Sequence, residues 1–325
     1  MKFSKQDLIK LYTNLVRTRA FDELFTRRLA QGKLLGFYHA SLGGEAPGVG
    51  GCSFLRQDDI IFPHHRGHGI PHMVGKGIDI KYFLAEHTGK ITGGCGGMST
   101  FHPFDAENGL YGYTGLIGSA FPLSAGYGLA AKRNDKGQVV VCFFGDGGSN
   151  RGTLHEAFLL ASTWKLPIVW VCENNGLSQF VPFEQSYPVD DIADLAQGYG
   201  MPGIVVDGQD VIAVAEAVMA AVEKARAGKG PALIECKTSR FCPHFVSAPD
   251  MCGCEIRSEE EIAKLKERDP IAIYREKLMA RKILTKKTID NIDVEVAAEL
   301  DAAEKFADES PLPESASFDD LLYAN

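Results

Sequence analysis

VVVCFFGDGGSNRGTLHEAFLLASTWKLPIVWVCENNG, Val139 to Gly176, decides how this chain folds. Val139–Phe144 is an uninterrupted apolar run, the pattern of a strand buried on both faces. Gly145-Asp146-Gly147 stops it. A helix is predicted from Thr153 to Trp164, with Leu154, Ala157, Phe158 and Ala161 on one face. Lys165-Leu166-Pro167 ends that helix, because proline cannot continue it. Ile168–Cys172 is a second apolar run, stopped by Glu173-Asn174-Asn175-Gly176. Two parallel strands joined by one crossover helix put both strand ends on the same sheet edge. Asp146 and Asn175 are therefore expected side by side, on the edge where open α/β sheets bind ligands.

The chemistry of those two turns is specific. Glycines after a strand can cradle a phosphate, but a carboxylate beside phosphates is repulsive unless a cation lies between them. Asp146 and the Asn175 side-chain oxygen are hard ligands suited to Mg²⁺, an ion often held by few protein groups plus phosphates. Gly145, Gly147 and Gly148 leave the backbone open, and a helix after Gly147 would turn N–H groups towards the same anion. A dinucleotide fingerprint, G-x-G-x-x-G, fails here because the sixth position is Asn150. Two ordinary turns would not need to carry these polar groups one crossover apart.

The same residues carry a family resemblance. GDG, then 26 residues, then NN resembles the thiamin diphosphate motif. HEAFLLASTWKLPIVWVCENNG is similar to the alpha subunit of the decarboxylating component of 2-oxo acid dehydrogenases, a group that includes pyruvate, branched-chain and acetoin dehydrogenases. The resemblance runs from about Arg17 to about Tyr274.

Composition is that of an ordinary globular protein, with length for one large domain or two small ones, of which a single domain is expected. The chain has 325 residues, with 45% hydrophobic and 23% charged residues, enough to bury a sizeable core. A net charge of −8 without a long basic run argues against nucleic acid as a partner. The apolar runs are too short to span a bilayer, so no membrane partner is expected. The opening MKFSKQDLIK has no signal-peptide character. Eight scattered cysteines, three of them (Cys142, Cys172, Cys236) inside apolar runs, fit free thiols in a reducing cytoplasm.

Around the central unit, residues 4–31 read as a long helix opened by a Ser4/Asp7 capping box. Arg17 and Arg19 read as surface charges on it. His39 falls on a glycine-bracketed loop before Gly43-Gly44-Glu45-Ala46, and the resemblance carries it over as an active-site histidine. In IIFPHHRGHGIPHM, His64, His68 and His72 have the spacing of one helix face, as in a metal site. Pro63, Gly67, Gly69 and Pro71 interrupt any helix, which favours an anion grip by Arg66 instead. The resemblance makes Arg66 the diphosphate ligand and places His65 where relatives carry an aromatic residue. The glycine segment Gly93 to His102 reads as a structural loop, with a substrate-channel role as the lesser alternative and Cys95 where relatives have lysine. Tyr113 to Gly118 resembles the segment whose backbone meets the cofactor's aminopyrimidine, which implies contacts from Gly115 and Ile117. Pro122–Lys132 reads as a helix of small residues. Leu177, two residues after Asn175, is implied as a metal ligand through its carbonyl.

Further on, a strand at Gly203–Val206, a helix capped by Asp210 and a strand at Pro231–Cys236 continue the alternation. The pattern predicts a doubly wound, mostly parallel α/β sheet with helices on both faces. His244 matches a family histidine on a loop over the cofactor and contacts it in relatives. The next residue is Phe245, where some relatives carry a regulated serine, so that regulation is not expected. Serine 247 leaves a weaker phosphorylation alternative. Cys252-Gly253-Cys254 supplies too few ligands for a metal. Residues 258–309 read as a charged helical region with a Ser258/Glu261 cap, and the end of the chain as a tail.

The resemblance implies thiamin diphosphate and Mg²⁺ as cofactors. It implies an oxidoreductase subunit that cleaves acetoin or decarboxylates pyruvate and passes the product to a lipoyl acyltransferase. His39 and His244 are the expected acid–base groups. No second α/β half is visible to carry the activating glutamate. A beta subunit in an α₂β₂ heterotetramer is therefore expected. Phe245 and the short N-terminal region favour acetoin. Branched-chain 2-oxo acids, a non-catalytic cofactor-binding subunit and an NAD-dependent dehydrogenase stand as alternatives.

Overall fold

A computed structural model describes residues 3–34, 36–112, 115–246 and 255–314. The chain opens with helix α1 (Lys5–Ala30), capped by Ser4 and Asp7 as expected, then α2 (Glu45–Cys52) and strand β1 (Ile60–Phe62). Helices α3 (Ile70–Lys76), α4 (Ile80–His87) and α5 (Ala120–Asn134) precede the central unit. That unit is β2 (Val140–Gly145), α6 (Gly152–Thr163) and β3 (Ile168–Asn174). A small hairpin, β4 (Leu177–Ser178) and β5 (Val181–Pro182), and the single turn α7 (Phe183–Ser186) follow. The alternation resumes with β6 (Gly203–Asp207), α8 (Val211–Arg226) and β7 (Ala232–Lys237). The chain finishes with α9 (Glu259–Lys266), α10 (Pro270–Ala280) and α11 (Lys286–Glu309).

Five strands form one parallel sheet in the order β1-β2-β3-β7-β6. The apolar runs divide between its faces by the two-residue period of a strand. Val139, Val141 and Phe143 of the β2 run face one core with Val169 and Val171 of β3, under α8, α3 and α4. Val140, Cys142 and Phe144 face the other with Ile168, Trp170 and Cys172, under α5 and α6. The doubly wound parallel architecture is therefore as the sequence pattern predicts. A third cluster joins α1 to α10 and α11 through Leu8, Leu11, Leu15, Tyr274 and Leu278, so the C-terminal helices pack on their own chain.

Four local expectations are corrected. β3 continues past Cys172, with Glu173 and Asn174 buried inside the strand rather than ending it. A helix does form over Ile70–Lys76, because Pro71 lies in its first turn, where a missing N–H costs nothing. Gly147 is followed by a tight 3₁₀ turn, Asp146–Asn150, and α6 begins only at Gly152. Arg19 is largely buried, bonded to Glu45 and Asp269, and not a surface charge. Among the described residues Cys52, Cys95, Cys142, Cys172, Cys236 and Cys242 are free thiols. Cys252, Cys254 and serine 247 lie outside the described residues. Among the described residues no helix is long and apolar enough to cross a membrane.

Candidate active site

The carboxyl ends of β2 and β3 open onto a cavity of about 450 Å³. His39, His65, Arg66, Gly115, Ile117, Gly145, Asp146, Gly147, Gly148, Asn175, Leu177 and His244 all line it. The strand ends, the loop before α2, the turn before α3 and the loop after β7 thus converge on one space. His64, Arg151, Phe37, Ser178 and Gln179 are also among its lining residues, and the sequence reading assigned none of these to the site.

Asp146 forms the floor. Its side chain is buried and its Oδ2 has no hydrogen-bond partner among the described residues. Burial raises its pKa, against the opposing effects of backbone N–H groups (its own and that of Asn175) and the His64 and Arg66 charges. A buried carboxylate with a bare oxygen is a group set to receive a cation. The two asparagines of the second turn divide their work. Asn174 is tied into the sheet, donating from Nδ2 to Glu235 Oε1 at 2.7 Å. Asn175 faces the cavity, and its Oδ1 accepts from the Leu177 N–H at 3.2 Å. Gly145 and Gly147 permit the close packing behind this floor. A Cβ at Gly145 would sit 2.8 Å from His64 Nε2, and one at Gly147 would collide with Ser178.

Arg66 is buried and forms no carboxylate ion pair among the described residues. Its guanidinium instead donates to the His244 carbonyl at 2.5 Å, to His244 Nδ1 at 2.7 Å and to the Ala40 carbonyl at 3.4 Å, while its Nε has no partner among the described residues. Burial lowers its pKa, opposed by Cys242 and by the Asp146, Asp22 and Glu173 carboxylates. A desolvated guanidinium without an acid is half of an ion pair, and the missing half is an anion.

The two histidine loops are zipped together. Tyr38 and Val246 exchange backbone hydrogen bonds of 2.8 and 2.7 Å, and Phe241 N–H donates to the Leu42 carbonyl at 2.7 Å. His39 and His244 consequently stand with ring centroids 4.9 Å apart, and His39 and His65 4.8 Å apart. Burial, then the Arg66 charge, hold His39 at about 2 and His244 at about 3, while burial and the His64 charge keep His65 well below its ordinary value. All three rings are neutral at physiological pH.

Three buried carboxylates hold the site from behind, and none was singled out in the sequence. Asp22 of α1 accepts from the Tyr38 hydroxyl at 2.5 Å and from the Ser41 N–H at 2.7 Å, which anchors the His39 loop. Glu86 of α4 accepts N–H bonds from Cys95, Gly97 and Ser99, which gathers the glycine loop. Glu173 of β3 accepts from His64 Nδ1 and His72 Nε2, both at 2.8 Å. Two of the four clustered histidines therefore clamp a carboxylate instead of a metal. Asp22 was detectable in principle, because it shares the helical row of Leu15, Thr18, Phe25 and Leu29. An acid inside an apolar row marks a buried charge with a structural task.

Comparison with known proteins identifies the family. The family model for the dehydrogenase E1 component matches residues 13–316. The alpha subunit of acetoin:2,6-dichlorophenolindophenol oxidoreductase from Bacillus subtilis is 38% identical over 96% of this chain and 92% of its own length. Its counterpart from Cupriavidus necator is 36% identical over 96% of this chain and 93% of its own length. The pyruvate dehydrogenase E1 component subunit alpha of Zymomonas mobilis is 34% identical over 99% of this chain and 88% of its own length. The chain belongs to the dehydrogenase E1 component family.

Proposed function

We propose that this chain is the alpha subunit of a thiamin diphosphate-dependent dehydrogenase acting on acetoin or pyruvate, with acetoin the favoured substrate. The observation that carries the reading is the pairing, on one cavity, of a buried carboxylate with a bare oxygen and a buried guanidinium without an acid. A magnesium diphosphate satisfies both. Asp146, the Asn175 side chain and the Leu177 carbonyl would hold the metal, and Arg66 the diphosphate. Gly145, Gly147 and Gly148 give the anion backbone access, and His65 closes that side. The Gly115 and Ile117 backbones would border the aminopyrimidine. Bound thiamin diphosphate supplies a carbon nucleophile that stores the electron pair of a broken bond to a carbonyl carbon.

His39 and His244 serve the proton movements around that centre as neutral imidazoles. The product would pass to the lipoyl group of an acyltransferase partner. Replacing His244 with Ala should slow reductive acylation of lipoamide, and an unchanged rate in a stopped-flow assay removes it from that step.

An apolar surface beside the cavity supports a beta subunit partner. Leu116, Ile117 and Leu123 are 69%, 48% and 45% exposed, next to the small residues of α5. An α₂β₂ assembly in the cytoplasm is the expected setting, with the activating glutamate on the partner. Phe245 after His244 fits an enzyme without serine phosphorylation at that position.

Thermal-shift titration tests the cofactor. Thiamin diphosphate and Mg²⁺ together should raise the melting temperature, with little effect from either alone or from NAD. Stabilisation by NAD instead would sink the reading. Assay of the co-expressed α and β chains with acetoin, pyruvate and branched-chain 2-oxo acids, using an artificial electron acceptor, then ranks the substrates.

A further inference from the structure

His68 lies behind the cavity wall and contributes nothing to its lining. It is nonetheless placed at some cost. Its backbone is left-handed (φ 46°, ψ 36°), a region that a non-glycine residue adopts with strain. Its ring is fully buried, stacked on His87 with centroids 5.7 Å apart and set against Tyr38 at 4.7 Å. Strain of this kind persists where the surroundings need a side chain in one place.

That place is under His39. His68 Nε2 lies 3.1 Å from the His39 backbone nitrogen and 3.1 Å from His39 Nδ1. A backbone amide always carries its proton, so His68 Nε2 must accept and is bare. His39 Nδ1 faces the same bare nitrogen, so it must carry a proton. In a neutral ring that leaves His39 Nε2 as a lone pair. His244 has the opposite arrangement. Arg66 has only donors, so His244 Nδ1, 2.7 Å from Arg66 Nη2, is the bare nitrogen and Nε2 carries the proton.

We propose that His68 is a positioning residue that pins the His39 proton on Nδ1 while Arg66 pins the His244 proton on Nε2, so that the cavity presents one imidazole acceptor and one imidazole donor matched to an α-hydroxy ketone. One ring nitrogen from each of His39, His65 and His244 lies within 4.8 Å of the others, so the three rings converge on one space. A three-imidazole metal site does not fit the same atoms. His244 has spent its lone pair on a guanidinium, and that cation stands beside the would-be ion. An α-hydroxy ketone does fit, because its hydroxyl donates to His39 Nε2 and its carbonyl oxygen accepts from His244 Nε2–H. When the bond between the two oxygenated carbons breaks, the hydroxyl proton goes to His39. The O–H electron pair becomes the second C–O bond of the released aldehyde. Bound thiamin diphosphate, once joined to the carbonyl carbon, would supply the sink for the carbon–carbon pair. A 2-oxo acid has no hydroxyl proton to give up and makes no such demand on His39.

The substrate match rests on the proposed function, whereas the proton placement does not. The test therefore separates them. Long-range ¹⁵N–¹H spectra of the histidine-labelled full chain, assigned with His39→Gln and His244→Gln, should show His39 bare at Nε2 and His244 bare at Nδ1. His68→Phe should shift His39 towards the Nε2–H form, and His68→Gln, whose amide oxygen can accept, should restore it. In the assembled α and β chains, His68→Phe should lower kcat for acetoin on the order of a hundredfold, the scale of a lost general base, with KM and thiamin diphosphate affinity held within about threefold. The loss with pyruvate should be smaller. A wild-type His39 protonated at Nε2, or an unaltered His39 tautomer in His68→Phe, overturns the proton placement. Equal losses with acetoin and pyruvate overturn the substrate match. If His68→Phe does not fold, the wild-type spectrum and His68→Gln decide the matter. Tautomers as assigned in a protein without thiamin-dependent turnover would support the placement and sink the proposed function alone.

Discussion

Arg66 and Glu173 show how one charged residue is tolerated inside a core and what each asks for. Among the described residues Arg66 is a desolvated cation answered by two carbonyls and an imidazole but by no carboxylate, so its binding energy is reserved for an anion. Arg66→Ala should raise the dissociation constant for thiamin diphosphate roughly a hundredfold, the worth of a buried charge-assisted pair. An isothermal titration giving an unchanged constant would remove Arg66 from the diphosphate site. Glu173 is the reverse case, because its partners are already present. Burial would raise its pKa, but the charges and hydrogen bonds of His64 and His72 outweigh it and hold the group at about 2. Its folded value lies below its unfolded one. The stability it contributes is therefore complete above the ordinary carboxylate range and is lost as the pH falls through about 2. Glu173→Gln turns an amide N–H towards an imidazole donor and should cost about 2–4 kcal/mol in urea denaturation. A loss near zero would mean the clamp is idle.

At the scale of elements, the central β2-α6-β3 unit was legible because its pattern is local. Two apolar runs and one helical face fix strand, helix and strand, and parallel pairing then fixes which residues share an edge. Glu173 was not legible, because a charged residue after an apolar run reads as the end of a strand. Only the histidines of a distant segment, His64 and His72, make its burial affordable. The helix over Ile70–Lys76 was missed for a related reason. Proline breaks a helix by its position in it, and Pro71 occupies the permitted first turn. The role of α1 was also hidden, since its polar residues read as solvent-facing. In the fold Asp22 projects from α1 to hold Tyr38 and Ser41 on either side of His39. Asp22→Ala would orphan the buried Tyr38 hydroxyl and Ser41 N–H, costing about 2 kcal/mol or more. It should also lower turnover by loosening the His39 loop, measured against a thiamin diphosphate affinity that stays near wild type. Stability lost without any change in turnover would confine Asp22 to packing.

Across the whole molecule, the same burial that builds the site also sets its response to acid. Burial is the leading cause in holding His39 at about 2, His244 at about 3 and His87 at about 4, and His65 and His68 are pushed well down by the same cause. In the unfolded chain each returns to the ordinary imidazole range near 6.5. Below that range the unfolded state takes up protons that the folded state refuses, so stability falls as the pH falls. Asp22 works the other way. Burial raises its carboxyl, against the Tyr38 hydrogen bond, to about 7, so the folded state gains a proton there first. One such carboxyl offsets only part of a group of imidazoles, each fully buried one worth on the order of 1 kcal/mol by about pH 5.5. The melting temperature should therefore drop by several degrees between about pH 7.5 and about pH 5.5, before ordinary carboxylates titrate. His87 is the member to remove, because neither of its ring nitrogens has a partner among the described residues and it lies outside the cavity lining. His87→Leu should flatten the acid limb while leaving the melting temperature near pH 7.5 within a few degrees. A melting temperature independent of pH across that range would show that the buried imidazoles are protonated in the folded chain, and the acid–base assignment of the cavity would have to be redrawn with it.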